Sequence, residues 1–415
     1  MTNDSICKEY TQDAITLLKQ LIATPSVSRN EEKAADILVD TITSYGFTPI
    51  REGNNVWIMD PRYDEQRPTL LLNAHIDTVK AVASWTKNPF EPVVEGDFLY
   101  GLGSNDCGGG LVSLLQVFRF LVSHPQQYNV IFLASAEEEV SGENGIRRVL
   151  PLLPPIDVAV VGEPTGMQPA IAEKGLMVLD VKAHGKSGHA ARNEGVNAIY
   201  EILDDLVWLR NHRFSKVSDF LGETKMSVTV IHAGTQHNVV PDLCELVVDV
   251  RTNEFYKNEE VFEEVRQHLK SEVSARSFRL HSSHIDPQHP LVQRCVAMGM
   301  VPFGSPTLSD QALMPFPSFK LGPGESSRSH AADEFIKISE IEKARCLPTA
   351  FRWNCDSFHY LIHASGFKVS ALPPRILRNW NCMTPSEPTL PMVCPVFTCF
   401  PLLTLTAPRL QYTEI

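Results

Sequence analysis

No stretch of this 415-residue chain is long and apolar enough to span a bilayer. The opening residues, Met1-Thr2-Asn3-Asp4-Ser5, lack the basic stretch and apolar run of a secretion signal. Cations are in deficit, with 37 Lys and Arg against 49 Asp and Glu, and the resulting charge of −12 argues against a nucleic-acid surface. Paired cysteines are missing too. Nine is an odd number, and Cys7, Cys107, Cys244 and Cys295 show no metal-site spacing. These absences point to a reduced, cytoplasmic protein with neither membrane nor nucleic acid as partner. The 43% hydrophobic and 21% charged fractions are those of an ordinary globular chain, and the length suggests two domains.

Periodicity is absent from the last part of the chain. Five of the nine cysteines (Cys346, Cys355, Cys382, Cys394, Cys399) follow Lys343, together with Pro373, Pro374, Pro385, Pro388, Pro391, Pro395, Pro401 and Pro408. Residues 345–415 are therefore expected to form an atypical, poorly ordered Pro/Cys-rich tail. It reads as the product of a changed reading frame or a read-through, an idea that an intact native mass including these residues would sink. The alternative is an extension that binds metal or a partner, although its cysteines lack a zinc-finger spacing.

What is present begins with Leu70-Leu71-Leu72-Asn73-Ala74-His75-Ile76-Asp77. An apolar run that stops at polar residues reads as a buried strand of a parallel sheet, and such sheets hold ligands at the strands' carboxyl ends. His75 and Asp77, two apart on extended backbone, share a side. Two further buried strands end the same way. Residues 130–135 lead into Glu137-Glu138-Glu139, and 157–161 into Gly162-Glu163-Pro164-Thr165. A glycine-rich segment, Gly101-Leu102-Gly103-Ser104-Asn105-Asp106-Cys107-Gly108, precedes an apolar helix at 111–121. Amphipathic helices are expected at 10–23 and 31–45 and a strand at 55–59. Strands alternating with helices predict an α/β, mostly parallel, doubly wound sheet.

From Gly175 the pattern changes to strand 177–183, helix 196–210, strands 227–233 and 243–251, and helix 258–273. That order is a ferredoxin-like α+β unit, placed at 175–285 and inserted into a discontinuous domain of residues 1–174 and 286–344. A short helix at 291–298, a strand at 318–321 and a helix starting at 338 return the chain to the first sheet. His330 falls in a late loop. Histidine and carboxylates gathered at strand ends suit zinc, which takes mixed N and O ligands. Adjacent glutamates offer two roles, one binding metal and its neighbour moving protons. Taken alone, a histidine or a run of three glutamates is more often plain surface. The repeated placement at strand ends is what favours a site.

AHIDTV, GLGSND, SAEEE, GEPT and SHAADEF occur here in an order that resembles the zinc-dependent family of acetylornithine deacetylases, succinyl-diaminopimelate desuccinylases and related carboxypeptidases and aminoacylases. The resemblance covers about residues 10 to 344 and is closest to the acetylornithine deacetylase branch. It implies two Zn2+ ions (Co2+ or Mn2+ being possible), with Asp106 bridging them. His75 and Glu163 would complete one site, and Glu139 and His330 the other. Asp77 would orient the His75 ring, and Glu138 would be the general acid/base. Glu137 stands where the family commonly has aspartate and is given no chemistry. Cys107-Gly108 departs from a form in which lysine follows the aspartate by two, and Cys107 is read as a small packed residue.

Gly185-Lys186-Ser187-Gly188-His189 is similar to the family's lid motif. The inserted unit would thus be a lid and dimerisation domain, with His189 reaching a partner subunit's site to stabilise the oxyanion. Asn238 and Arg251 match substrate-contacting positions, and Gly322 and Gly324 could present backbone N–H groups to a substrate carboxylate. The function implied is removal of an acetyl or succinyl group from an amino acid such as ornithine by a homodimer, hence a place in arginine biosynthesis. A di-zinc dipeptidase or carboxypeptidase, or an inactive metal-binding homologue, are the alternatives.

Overall fold

The structure, a computed structural model, describes residues 3–192 and 194–344. The Pro/Cys-rich tail and its cysteines lie outside the described residues. At the centre of the nine-stranded sheet, four parallel strands lie in the order Asn129–Ser135, Thr69–His75, Val158–Val161 and Ser318–Lys320. Antiparallel strands extend both edges: Asn55–Met59 and Ile50–Glu52 on one side, Ala170–Glu173 and Ser283–His284 on the other. The mixed α/β expectation, with a mostly parallel central sheet, holds.

Burial on both faces fixes this sheet's register. Leu70, Leu72, Val130, Phe132 and Val160 pack on one face with the helices Asn3–Ile22, Glu32–Ser44 and Gly109–Val122. Leu71, Ile131, Leu133, Ala159 and Val161 pack on the other with Ile146, Val149 and Met314. Slipping any central strand by one residue would exchange the two sets. His75, Ser135 and Val161 are therefore held at one edge of the sheet, and the loops that follow them begin from fixed points.

Met177–His184, Lys225–Ala233, Leu243–Arg251 and Glu272–Ala275 form a separate antiparallel sheet. Numbered by chain position, its strands lie in the spatial order 2-3-1-4, the arrangement of a ferredoxin-like unit. Helices Ala198–Glu201, Leu203–Asn211 and Asn258–His268 accompany it, and Val181, Leu246, Val248, Leu209, Val261 and Val265 share its core.

Two helical expectations need correction. The helix expected at 196–210 is two pieces that meet at Ile202. The one expected at 258–273 stops at His268, and its last residues form the strand Glu272–Ala275. No glycine or proline marks that stop. Buried Asp205 makes it, its carboxylate accepting the N–H groups of Lys270 and Ser271 at 3.0 Å each. Tertiary capture of backbone donors ended the helix where local propensity did not. A small third sheet, Val93–Glu95, Phe98–Tyr100 and Phe335–Lys337, links the glycine-rich loop to the late loop. Short strands of this kind carry too little period to be read from sequence.

Candidate metal centre

His75 is the last residue of its strand, and its side chain is almost fully buried. The ring Nδ1 lies 2.9 Å from the main-chain oxygen of Asp77 and 3.5 Å from its carboxylate. A carbonyl oxygen can only accept, so Nδ1 carries the hydrogen and the Nε2 lone pair faces the cleft. Nε2 then stands 3.3 Å from Asp106 Oδ1, 3.8 Å from Glu163 Oε1 and 4.0 Å from Glu138 Oε2. On the far side of Asp106, the other oxygen, Oδ2, is 3.5 Å from His330 Nε2, which is 3.0 Å from Glu139 Oε2.

These separations test the fit of a metal ion. Bonds of about 2.0–2.2 Å at tetrahedral angles hold neighbouring donor atoms about 3.4 Å apart. The observed 3.3, 3.5 and 3.8 Å bracket that value, and donor atoms of His75, Asp106 and Glu139 lie within 4.8 Å of one another. Glu163 Oε1 is buried and has no hydrogen-bond partner. An orphaned carboxylate oxygen costs about 1–3 kcal/mol or more unless a cation meets it. Charge points the same way. Burial first, and then the Asp106 carboxylate, push Glu163 well above the carboxylate range. Burial does the same to Glu138, reinforced by Glu163, Asp310 and Glu139 against the pull of His75. Acids crowded until they resist ionising are acids arranged for a cation.

Asp77 does more than face a ring. Its Oδ1 accepts the N–H of Glu138 at 3.0 Å, and its Oδ2 accepts the N–H of Glu139 at 3.2 Å and the Ser28 hydroxyl at 2.7 Å. Glu31, fully buried, accepts the N–H of Glu137 at 3.2 Å and an Asn54 amide hydrogen at 2.9 Å. Three successive backbone donors are thus captured by two carboxylates. This capture supports the left-handed backbone of Glu137 (φ 54°), where the chain leaves the strand and turns Glu138 and Glu139 toward the cleft. Glu137 itself points away, accepting from Asn144 at 3.0 Å.

Cys107 is buried, its Sγ 3.2 Å from the His75 N–H. Burial raises its pKa far beyond the range in which a thiolate forms, which suits a packed residue. The other sequence-derived contacts stand apart from this cluster. His189 and Asn238 are exposed at neighbouring turns of the small domain, with the His189 Nδ1 accepting from Ala191 N–H at 3.1 Å. Arg251 is paired through two bonds of 2.9 and 3.0 Å with Asp249. Among the described residues, no hydrogen bond or ion pair joins His189, Asn238 or Arg251 to the metal-type side chains. The Gly322 N–H donates to Thr165 Oγ1 at 3.2 Å. The Gly324 backbone (φ 87°) passes so close to Asn105 that a Cβ there would lie 2.4 Å from Asn105 Oδ1.

Sequence reasoning passed over several residues that hold this cluster: Ser28, Glu31, Asn105, Asp310, Lys320 and Glu334. Asn105 lies inside GLGSND and Glu334 inside SHAADEF, and nothing in the type or spacing of either separates it from ordinary surface.

Residues 171–276 match the family described as Peptidase dimerisation domain, and residues 55–149 match Peptidase family M28. An acetylornithine deacetylase from Edwardsiella ictaluri is 28% identical over 368 residues, 81% of this chain and 96% of that protein. One from Erwinia tasmaniensis is 29% identical over 369 residues, 80% of this chain and 95% of its own length. Solved structures with this fold include the aminopeptidase PepT of Bacillus cereus, with a TM-score of 0.67 at 17% identity over 82% of this chain and 97% of that one. Another is the Bacillus subtilis YXEP protein, a dinuclear metal binding peptidase from the M20 family. Its TM-score is 0.65 at 18% identity, over 83% of this chain and 97% of that one. The resemblance drawn from the five motifs is borne out over most of the chain.

Proposed function

We propose that this chain, a relative of the acetylornithine deacetylases and M20 metallopeptidases, is a di-zinc amidohydrolase that removes an acetyl or succinyl group from the nitrogen of an amino acid such as ornithine. The observation that carries the reading is the two-sided Asp106. One of its oxygens faces His75 and the other faces His330, with Glu138 beside the first group. His75, Asp106 and Glu163 would hold one zinc ion and Asp106, Glu139 and His330 the other, and the pair would polarise the scissile carbonyl and acidify water. Cobalt or manganese would satisfy the same donors.

Glu138 then has the chemistry of a proton carrier. It takes a proton from the attacking water and returns it to the leaving nitrogen, so that a carboxylic acid and a free amine depart. Asp77 fixes Glu138 and Glu139 through their backbone N–H groups while its carbonyl fixes the His75 tautomer. Arg251 would meet the substrate's α-carboxylate by exchanging Asp249 for it, keeping the same two-bond geometry.

The small domain, 175–285 in this reading, pairs with a second copy to form a homodimer and lends His189 to the partner's site, with Asn238 a substrate contact. Its support is an apolar outer face. Tyr200, Leu203 and Val207 are 70%, 49% and 58% exposed, beside an edge strand whose Val228, Val230 and Ile231 are exposed too. Among the described residues, Cys107, Cys244 and Cys295 are free thiols, and no helix is long and apolar enough to cross a membrane. Both fit action in the cytoplasm, within arginine biosynthesis.

The deciding experiment sets N-acetylornithine, N-succinylornithine, N-succinyl-diaminopimelate and a set of dipeptides before the zinc-supplied protein. Release of ornithine from either of the first two is the expected result. Cleavage of dipeptides alone would replace this reading with a peptidase. Binding without turnover of any substrate would make the chain an inactive homologue.

A further inference from the structure

Glu334 is 2% exposed and has no basic side chain as partner among its described contacts. Its carboxylate is satisfied by backbone alone: Oε1 accepts the N–H groups of Asn105 and Asp106 at 2.8 and 2.9 Å, and Oε2 accepts that of Gly103 at 3.2 Å. The main-chain oxygen of Glu334 accepts a fourth, from Gly101 at 3.0 Å. The loop that presents Asp106 is therefore wrapped on one acid, four residues after His330. Asn105 adds a second tie. Its amide nitrogen donates to Glu325 O at 3.0 Å and to Ser329 Oγ at 3.3 Å, and its oxygen accepts the Glu325 N–H at 3.0 Å.

We propose that Glu334 is a positioning residue of the metal centre, locking the Asp106 loop to the His330 loop so that the two ligands are presented together. The two halves of the cluster differ in how they are carried. His75 ends a buried strand, and Glu163 follows another by two residues, so the sheet holds both. His330 stands in a loop with left-handed backbone (φ 59°) and a half-exposed side chain, and nothing so rigid lies beneath it. Such a conformation persists where neighbours over-determine it, and the stitching to residues 101–106 is the neighbour available. Weakening that stitching should loosen the His330 half more than the other half, which shares Asp106 but keeps His75 and Glu163 on the sheet.

This inference rests on the two-metal reading of the site but not on the identity of the substrate. The test is zinc titration of the full-length apoprotein in a zinc-buffered solution, with bound metal counted after dialysis. Wild type, Glu334→Gln and Glu334→Asp are compared. Glutamine keeps the shape but replaces one acceptor oxygen with a donor, and aspartate keeps the charge but falls short of the three N–H groups. Wild type should hold two equivalents. Both variants should keep one tight equivalent and bind the second about 10–100-fold more weakly, the range usual when a group that orients a ligand is lost. Circular dichroism of the zinc-free proteins should be unchanged.

If wild type itself holds fewer than two ions, the two-metal reading fails. If wild type holds two and both variants match it, Glu334 has no positioning role. Loss of the apo fold in both variants would also overturn the proposal, since Glu334 would then be merely structural.

Discussion

Lys320 Nζ lies 3.0 Å from Glu173 Oε2, with both side chains buried. Burial pulls the Lys320 pKa down, but the carboxylates of Glu173, Glu163 and Glu138 outweigh it and keep the ammonium charged. Lys320 also donates to Thr307 O at 3.0 Å, and Ser309 donates to Glu173 at 2.8 Å, so each charge has further partners. Removing one member of such a pair strands the other. Lys320→Met should therefore cost about 3–5 kcal/mol of unfolding free energy, read from urea denaturation. Adding Glu173→Gln should recover part of the loss, because a neutral amide can still accept from Ser309. A single-variant cost below about 1 kcal/mol would show that the pair is not what holds this edge of the sheet.

Glu138 offers a sharper division between chemistry and binding. Its carboxylate stands 4.0 Å from His75 Nε2, outside the tighter contacts that join the ligand set. Glu138→Ala should lower kcat by about 10²–10⁴-fold, the usual worth of a general acid/base. The zinc content of the purified protein should stay at the wild-type value. A variant that loses metal along with activity would make Glu138 a ligand. One that keeps kcat within about threefold would remove it from the reaction altogether.

The parts of this molecule that were legible in the sequence are those written in long, regular signals. The three apolar runs ending in His75, Ser135 and Val161 could be read as buried strands because both faces of the sheet are covered, leaving no polar alternation to confuse them. His75, Glu139 and Glu163 stood out because each ends or follows such a run and Asp106 because it sits among glycines, whereas His330 was reached only through the resemblance of SHAADEF. What stayed hidden were acids that do their work by accepting backbone N–H groups. Glu31, Asp205 and Glu334 look like surface charge in the sequence, and only the folded chain brings Glu137, Lys270 or Gly103 to them. The hydroxyl that takes the Gly322 N–H, Thr165 Oγ1, was hidden for the same reason, lying 157 residues away.

His289 shows how such a hidden contact gains a pH dependence. It caps the helix Pro290–Ala297, with its Nδ1 accepting the Leu291 N–H at 3.3 Å. Accepting requires the neutral ring, and burial pulls the His289 pKa down to about 4, from an ordinary value near 6.5. The unfolded chain therefore takes up a proton at a higher pH than the folded one. This contribution to stability is fully present above about pH 6.5 and is lost as pH falls toward 4. Thermal unfolding of the zinc-free protein, compared between wild type and His289→Asn, isolates it. Asparagine caps the helix without titrating, so the variant should fall less steeply in melting temperature between pH 6.5 and 4.5 and match or exceed wild type at the acid end. Parallel melting curves across that range would mean that the His289 ring is protonated in the folded chain as readily as in the unfolded one, and that its cap is not made by the neutral imidazole.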